Sequence, residues 1–178
     1  MDTRAPHTHA DGQYASRRGV IDAVTDGLGL RSLRDATDPV RDAVAWADSH
    51  RPDDRDLVVR RVRHVVTEIE RTADAIGRLR RGDVAAFGEA MNASHVSLRD
   101  DYEVTIPELD LAVDTALAEG ALGARMTGGG FGGSAIALVA ADRVTPVADA
   151  VAAAFADAGF RPPEFLVAVP SAGAGRVG

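Results

Sequence analysis

Between Val58 and Ile76, apolar side chains recur at Val62, Val65, Val66, Ile69 and Ala73, in steps of three and four. That period is one face of an α-helix, and a stripe this long commits the middle of the chain to a helix that must bury one side. Gly82 suits its C-terminal stop and Asp83 the N-cap of the next helix. A second stripe runs through Val84, Phe87, Met91, His95 and Leu98, and a third through Leu109, Val113 and Ala116, with Gly120 to end it. Thr105 and Glu108 have the spacing of a capping box ahead of the third. Upstream, Tyr14, Ile21, Val24 and Leu28 predict a helix over 13–29. Pro39 opens a shorter one over 39–48, before the charged turn His50 to Asp56.

The period changes after Gly120. Leu122 to Thr127 and Ser134 to Ala141 read as strands, separated by a nearly pure glycine segment. Thr145-Pro146 opens a helix that would bury Val147, Val151, Phe155 and Ala158 and close at Gly159. Phe165 to Val169 reads as a further strand, and 171–178 as a loose Ser-Ala-Gly-rich tail. The expected fold class is α+β, with several helices packed on a small mixed or antiparallel sheet in one unit over 1–178.

Composition removes several chemistries. The chain is 46% hydrophobic, enough for a real core at 178 residues. It has no cysteine, hence no disulfide, thiol nucleophile or thiolate zinc site. It has no lysine either, so a Walker A loop and a Schiff-base lysine are excluded. A net charge of −7 argues against a general nucleic-acid binder. No apolar run is long enough for a membrane span, and cytoplasm is the default expectation.

The candidate sites are few. Gly128-Gly129-Gly130-Phe131-Gly132-Gly133 formally satisfies G-x-G-x-x-G, but a strand follows where a dinucleotide fingerprint needs a helix. Two readings stay open: a tight strand connection, or close backbone approach to an anion or sugar. Asp100, Asp101 and Glu103 could hold Mg²⁺, or could be a solvated helix end. Arg60, Arg61 and Arg63 read as solvated helix surface, and so do Arg78, Arg80 and Arg81. His95 reads as a hydrogen-bonded core residue. His7 and His9 form a weak pair with no third metal ligand. Tyr14 reads as core with its hydroxyl at the rim.

Taken together, these segments resemble one family, the galactokinases of the GHMP small-molecule kinases. The resemblance lies in Asp2-Thr3-Arg4-Ala5-Pro6-His7, in Asp11-Gly12-Gln13-Tyr14 with Arg17-Arg18, and in Arg63-His64-Val65-Val66-Thr67-Glu68. It continues through Met91-Asn92-Ala93-Ser94-His95, Ser97 to Val104, Pro107-Glu108-Leu109-Asp110 and Gly123 to Gly133. It implies a GHMP-kinase C-terminal domain and ATP-dependent phosphorylation of the anomeric hydroxyl of D-galactose, with Mg²⁺. It also implies that Tyr14 contacts the sugar, and that Gly128, Gly129, Gly130, Gly132 and Gly133 border the phosphates, with Gly130 expected to matter more to catalysis than to folding once the chain is restored to a full-length enzyme.

Other parts of the family pattern do not occur in these residues. Neither the first motif nor the Gly-Leu-Ser-Ser-Ser-type phosphate loop is found, nor the aspartate that faces the sugar hydroxyl. The chain is therefore expected to contain no catalytic residue and no metal ligand, to be inactive alone, and to dock against a missing N-terminal half. The alternatives are a non-catalytic sugar-binding or partner-binding module derived from a galactokinase, or part of a related GHMP sugar kinase.

Overall fold

The computed structural model describes residues 1–6, 10–169, 173, 175 and 176. His7, His9 and most of the expected tail lie outside the described residues. Among the described residues six α-helices form: α1 (Ala10–Gly27), α2 (Pro39–His50), α3 (Arg55–Arg80), α4 (Val84–Asp100), α5 (Pro107–Ala118) and α6 (Val144–Asp157). They pack on a two-stranded antiparallel sheet, β1 (Gly123–Thr127) and β2 (Ser134–Leu138), registered Gly123 to Leu138 and Thr127 to Ser134. This is the expected α+β class.

The punctuation works as its chemistry requires. Asp83 caps α4, its carboxylate accepting from the Ala86 amide at 3.0 Å, and Asp38 caps α2 from Arg41 at 3.2 Å. Gly82, Gly120 and Gly159 all follow helix ends at positive φ, where a side chain would be strained. The capping box does not form. Ile106 is the N-cap of α5 and Pro107 its first residue, while the Thr105 hydroxyl donates to Asp110 Oδ2 at 3.3 Å. Proline at the first helical position removes one orphan amide, which leaves less for a cap to satisfy.

Two apolar clusters sit on either side of the α3–α4 pair. Val20, Val24, Leu33, Ala43, Ala47, Val58 and Val62 join α1, α2 and α3. Leu98, Leu109, Val113, Met126, Ala135, Val151 and Phe155 join α4, α5, the sheet and α6. Small residues set the spacing in the second cluster. Gly88 of α4 lies against the backbone of Leu122 and Gly123, so close that a Cβ at Gly88 would be driven into the Leu122 carbonyl. Asn92 reinforces the seam by accepting from the Ala124 amide at 2.8 Å.

The expected strand over Phe165–Val169 does not form. Glu164 bridges Asp2, and the residues after it make no ladder, with Leu166 and Val169 85% and 81% exposed. Strand composition needs a neighbouring backbone to pair with, and none of the described residues lies alongside this run. The strand expected to reach Ala141 likewise ends at Leu138, before a 3-10 turn over Ala141–Arg143.

The seam at Gly88 yields a prediction of opposite sign to helix propensity. Alanine in an exposed helix position should gain up to about 1 kcal/mol over glycine. Here Gly88→Ala is expected to lose about 1–3 kcal/mol through overpacking, read as a lower urea midpoint with unchanged slope.

Candidate functional site

Tyr14, on the second turn of α1, is 47% exposed rather than core. It borders an open cavity of about 300 Å³ whose walls include Arg34, His64, Glu68, Thr72 and Tyr102. α1 supplies one wall, α3 the floor and the α4–α5 connection the far side. The His64 and Tyr102 rings stack at 4.3 Å, which fixes the inner surface of the cavity.

His64 is held as a neutral ring. It is buried, its Nδ1 lies 2.9 Å from the Ser97 hydroxyl, and Ser97 donates to Asp101 Oδ2 at 3.3 Å. Burial, then the nearby Arg71, Arg125 and Arg61 charges, push its pKa down to about 4. Beside it, Glu68 gathers the Arg71 guanidinium, the Ser94 hydroxyl at 2.6 Å and Arg125 at 3.8 Å. Burial lowers the pKa values of Arg71 and Arg125 from the ordinary arginine value.

The connection from α4 to α5 is tied down by one arginine. Arg61 is only 3% exposed, and its guanidinium donates to the Asp101 carbonyl and to the Glu103 carboxylate. Arg60 reaches the other Glu103 oxygen at 2.9 Å, and Arg63 lies 3.5 Å from Asp101. The hydrogen bond from Arg61 is the main reason the Glu103 carboxyl stays well below its usual range. Glu103 sits at φ +52°, a conformation non-glycine residues rarely hold without such anchoring.

These contacts revise the sequence reading. Arg61 is buried rather than solvated, and the acidic run is engaged by arginines, with Asp100 taken by Arg99 at 2.9 Å. His95 is the core residue expected: 2% exposed, accepting at Nδ1 from the Met126 amide, with Nε2 3.2 Å from Asp110. Arg17, Arg61, His64, Glu68 and Tyr102 were not singled out for the site. Spacing did hold a signal for one of them, because Arg61 falls three after Val58 and four before Val65, within the apolar stripe.

The glycine loop leans on the same connection. The Phe131 amide donates to the Val104 carbonyl at 2.8 Å, and the Thr3 amide and hydroxyl donate to the Gly133 carbonyl. Gly128, Gly130, Phe131, Gly132 and Gly133 all have positive φ. Gly130 is a packing glycine, because a Cβ there would enter the Val104 backbone, so the expectation that it matters more to catalysis than to folding is withdrawn. Gly129 differs: its φ is not positive and a Cβ would meet nothing within 4 Å. Among the described residues no contact explains its lack of a side chain.

Arg17 joins the two halves of the surface. One turn along α1 from Tyr14, it donates to the Glu103 carbonyl at 3.1 Å and lies over the Phe131 ring at 5.0 Å. The tyrosine-lined cavity and the glycine loop thus share one braced surface.

The low His64 pKa fixes a pH dependence. Between about 4 and about 6.5 the unfolded chain binds a proton at this ring that the folded chain refuses. Stability is therefore full above about 6.5 and falls as pH drops toward 4. His64→Asn is expected to flatten this slope in urea titrations, and an unchanged slope would return the acid sensitivity to other groups.

The family described as GHMP kinases C terminal matches residues 75–157. A galactokinase of Streptomyces coelicolor is 51% identical over 177 residues, covering 99% of this chain and 45% of the relative. A human galactokinase is 49% identical over 140 residues, covering 76% of this chain and 33% of the relative. Among solved structures, Lactococcus lactis galactokinase complexed with galactose superposes with a TM-score of 0.80 at 36% identity, covering 92% of this chain and 42% of that one. The chain thus spans less than half the length of these relatives.

Proposed function

The chain belongs to the GHMP kinases, as the counterpart of the C-terminal part of a galactokinase, and from that premise we propose that it forms one wall of a cleft where ATP phosphorylates the anomeric hydroxyl of D-galactose. The observation that carries this reading is the joining of Tyr14 and the glycine loop on one surface through Arg17, Glu103 and Phe131. A sugar needs hydroxyl partners that both donate and accept, and an exposed tyrosine hydroxyl does both. Phosphoryl transfer needs backbone amides and positive charge held where negative charge gathers. A run of positive-φ glycines can turn successive amides toward an anion.

ATP, when bound, supplies the phosphoryl group, and Gly128 and Gly129 open onto space that phosphates could approach. Mg²⁺ fits this set of residues poorly. No three His, Asp or Glu side chains gather among the described residues, and Asp100, Asp101 and Glu103 each face an arginine. We assign no metal ligand or catalytic base to these residues. The task left to this chain is to orient sugar and phosphates; its partner is the rest of such an enzyme, and the cytoplasm its setting.

Joined to the N-terminal part of the Streptomyces coelicolor relative, the chain is expected to give galactose-dependent ATP turnover, while the 178 residues alone give none. A hybrid that folds cooperatively yet phosphorylates no sugar would sink the proposal, as would turnover by the 178 residues alone. In the active hybrid, Tyr14→Phe should raise the galactose KM about 2- to 30-fold, the equivalent of one hydrogen bond. Gly129→Val should lower kcat/KM at least about tenfold through misplaced phosphates while leaving the Tm nearly unchanged. Gly130→Val should instead cost stability first.

A further inference from the structure

We infer that His95 and Asp110, which lie outside the cavity walls, form one buried clamp that sets the shape of the glycine loop and makes them positioning residues for phosphoryl transfer. That role rests on the reaction proposed above.

The free edge of β1 is where the clamp begins. Among the described residues β1 pairs only with β2, so the amides on its other edge need partners from elsewhere. Two side chains one turn apart on α4 supply them. Asn92 Oδ1 accepts from the Ala124 amide at 2.8 Å, and His95 Nδ1 accepts from the Met126 amide at 3.2 Å. Alternate residues of a strand present their amides to the same edge, so 124 and 126 are successive rungs. Met126 is the second of them, two residues before the loop opens at Gly128.

An imidazole nitrogen that accepts carries no proton, so the His95 proton sits on Nε2. Nε2 and Asp110 Oδ1 are both shielded from solvent, and neither has an aligned hydrogen bond among the described residues. They face each other at 3.2 Å. A protonated nitrogen opposite a carboxylate oxygen attracts without ideal alignment, and the rigid ring passes that orientation on to Nδ1. The other carboxylate oxygen, Asp110 Oδ2, accepts from the Thr105 hydroxyl at 3.3 Å. Thr105 follows Val104, whose carbonyl receives the Phe131 amide at 2.8 Å. The contacts thus close a circuit around the loop: His95 holds its entry at Met126, and Asp110 holds the segment on which Phe131 rests. Arg61 anchors Asp101 and Glu103 of the same connection, and the clamp anchors Thr105.

The test compares His95→Asn, which keeps an acceptor near the Nδ1 position but cannot reach Asp110, with Asp110→Ala and with the double variant. In the unaltered 178-residue chain, nitrogen NMR of the ring should show His95 unprotonated at Nδ1, and a proton there would overturn the inference. Amide hydrogen exchange is then followed in the same chain. Each single variant is expected to speed Met126 and Phe131 on the order of tenfold, as a local opening does, while Val24 and Val62 in the other apolar cluster stay slow. The double variant should do no more than either single one, because the two residues act as a unit. In the active hybrid, each single variant should lower kcat about tenfold or more through a displaced loop, with the galactose KM held within about twofold. Should His95→Asn fail to fold, Asp110→Ala carries the test, its side chain being 27% exposed. Loop amides or kcat left unmoved would overturn the inference. Additive effects, or acceleration spread evenly over both clusters, would overturn it as well, by leaving the pair a role in core stability alone. A hybrid inactive with His95 and Asp110 intact counts against the proposed function instead, and the exchange of Met126 and Phe131 then decides the clamp by itself.

Discussion

The buried guanidinium of Arg61 is the contact on which the site depends. A charge that deep costs several kcal/mol unless it is met by opposite charge and hydrogen bonds. Asp101 and Glu103 meet it from the α4–α5 connection, at the cost of a left-handed backbone at Glu103. Once that connection is fixed, three consequences follow from its neighbours. Tyr102 is held against His64, the Glu103 carbonyl receives Arg17, and the Val104 carbonyl receives the Phe131 amide. One ion pair thus sets both the cavity beside Tyr14 and the position of the glycine loop.

The glycines of that loop divide by physical cause. Gly130 is required by the Val104 backbone against which it packs, and Gly128, Gly132 and Gly133 by their positive φ. Only Gly129 has neither reason among the five. A glycine count cannot separate these causes, since the same residue serves a tight turn, a close backbone contact and an approaching ligand. The coordinates separate them because each cause leaves a different trace: a dihedral angle, a steric collision or open space.

Helix content was legible to a degree that the sheet was not. The stripes at Val58–Ile76 and Val84–Leu98 became α3 and α4, with Gly82 and Asp83 between them as expected. A helix satisfies its backbone from its own sequence, so periodicity and caps suffice to find it. Phe165–Val169 had strand composition and formed no ladder, because pairing depends on a backbone elsewhere. The capping box at Thr105 failed for a local reason, with Pro107 starting α5 one residue later than that spacing implied.

By itself the sequence determined the α+β class, the helical middle, the absence of thiol and lysine chemistry, and the galactokinase resemblance that close relatives then bore out. These follow from local periodicity, residue inventory and motif order, which need no knowledge of distant contacts. Only the tertiary structure decided that Arg61 is buried, that the acidic run is occupied by arginines, and that Tyr14 is joined to the glycine loop. Apart from Arg99 with its neighbour Asp100, those facts join residues about 40 or more positions apart, such as Arg61 with Glu103 and Arg17 with Phe131. Charge pairing and burial at that range are products of packing, and packing is not written in any one segment.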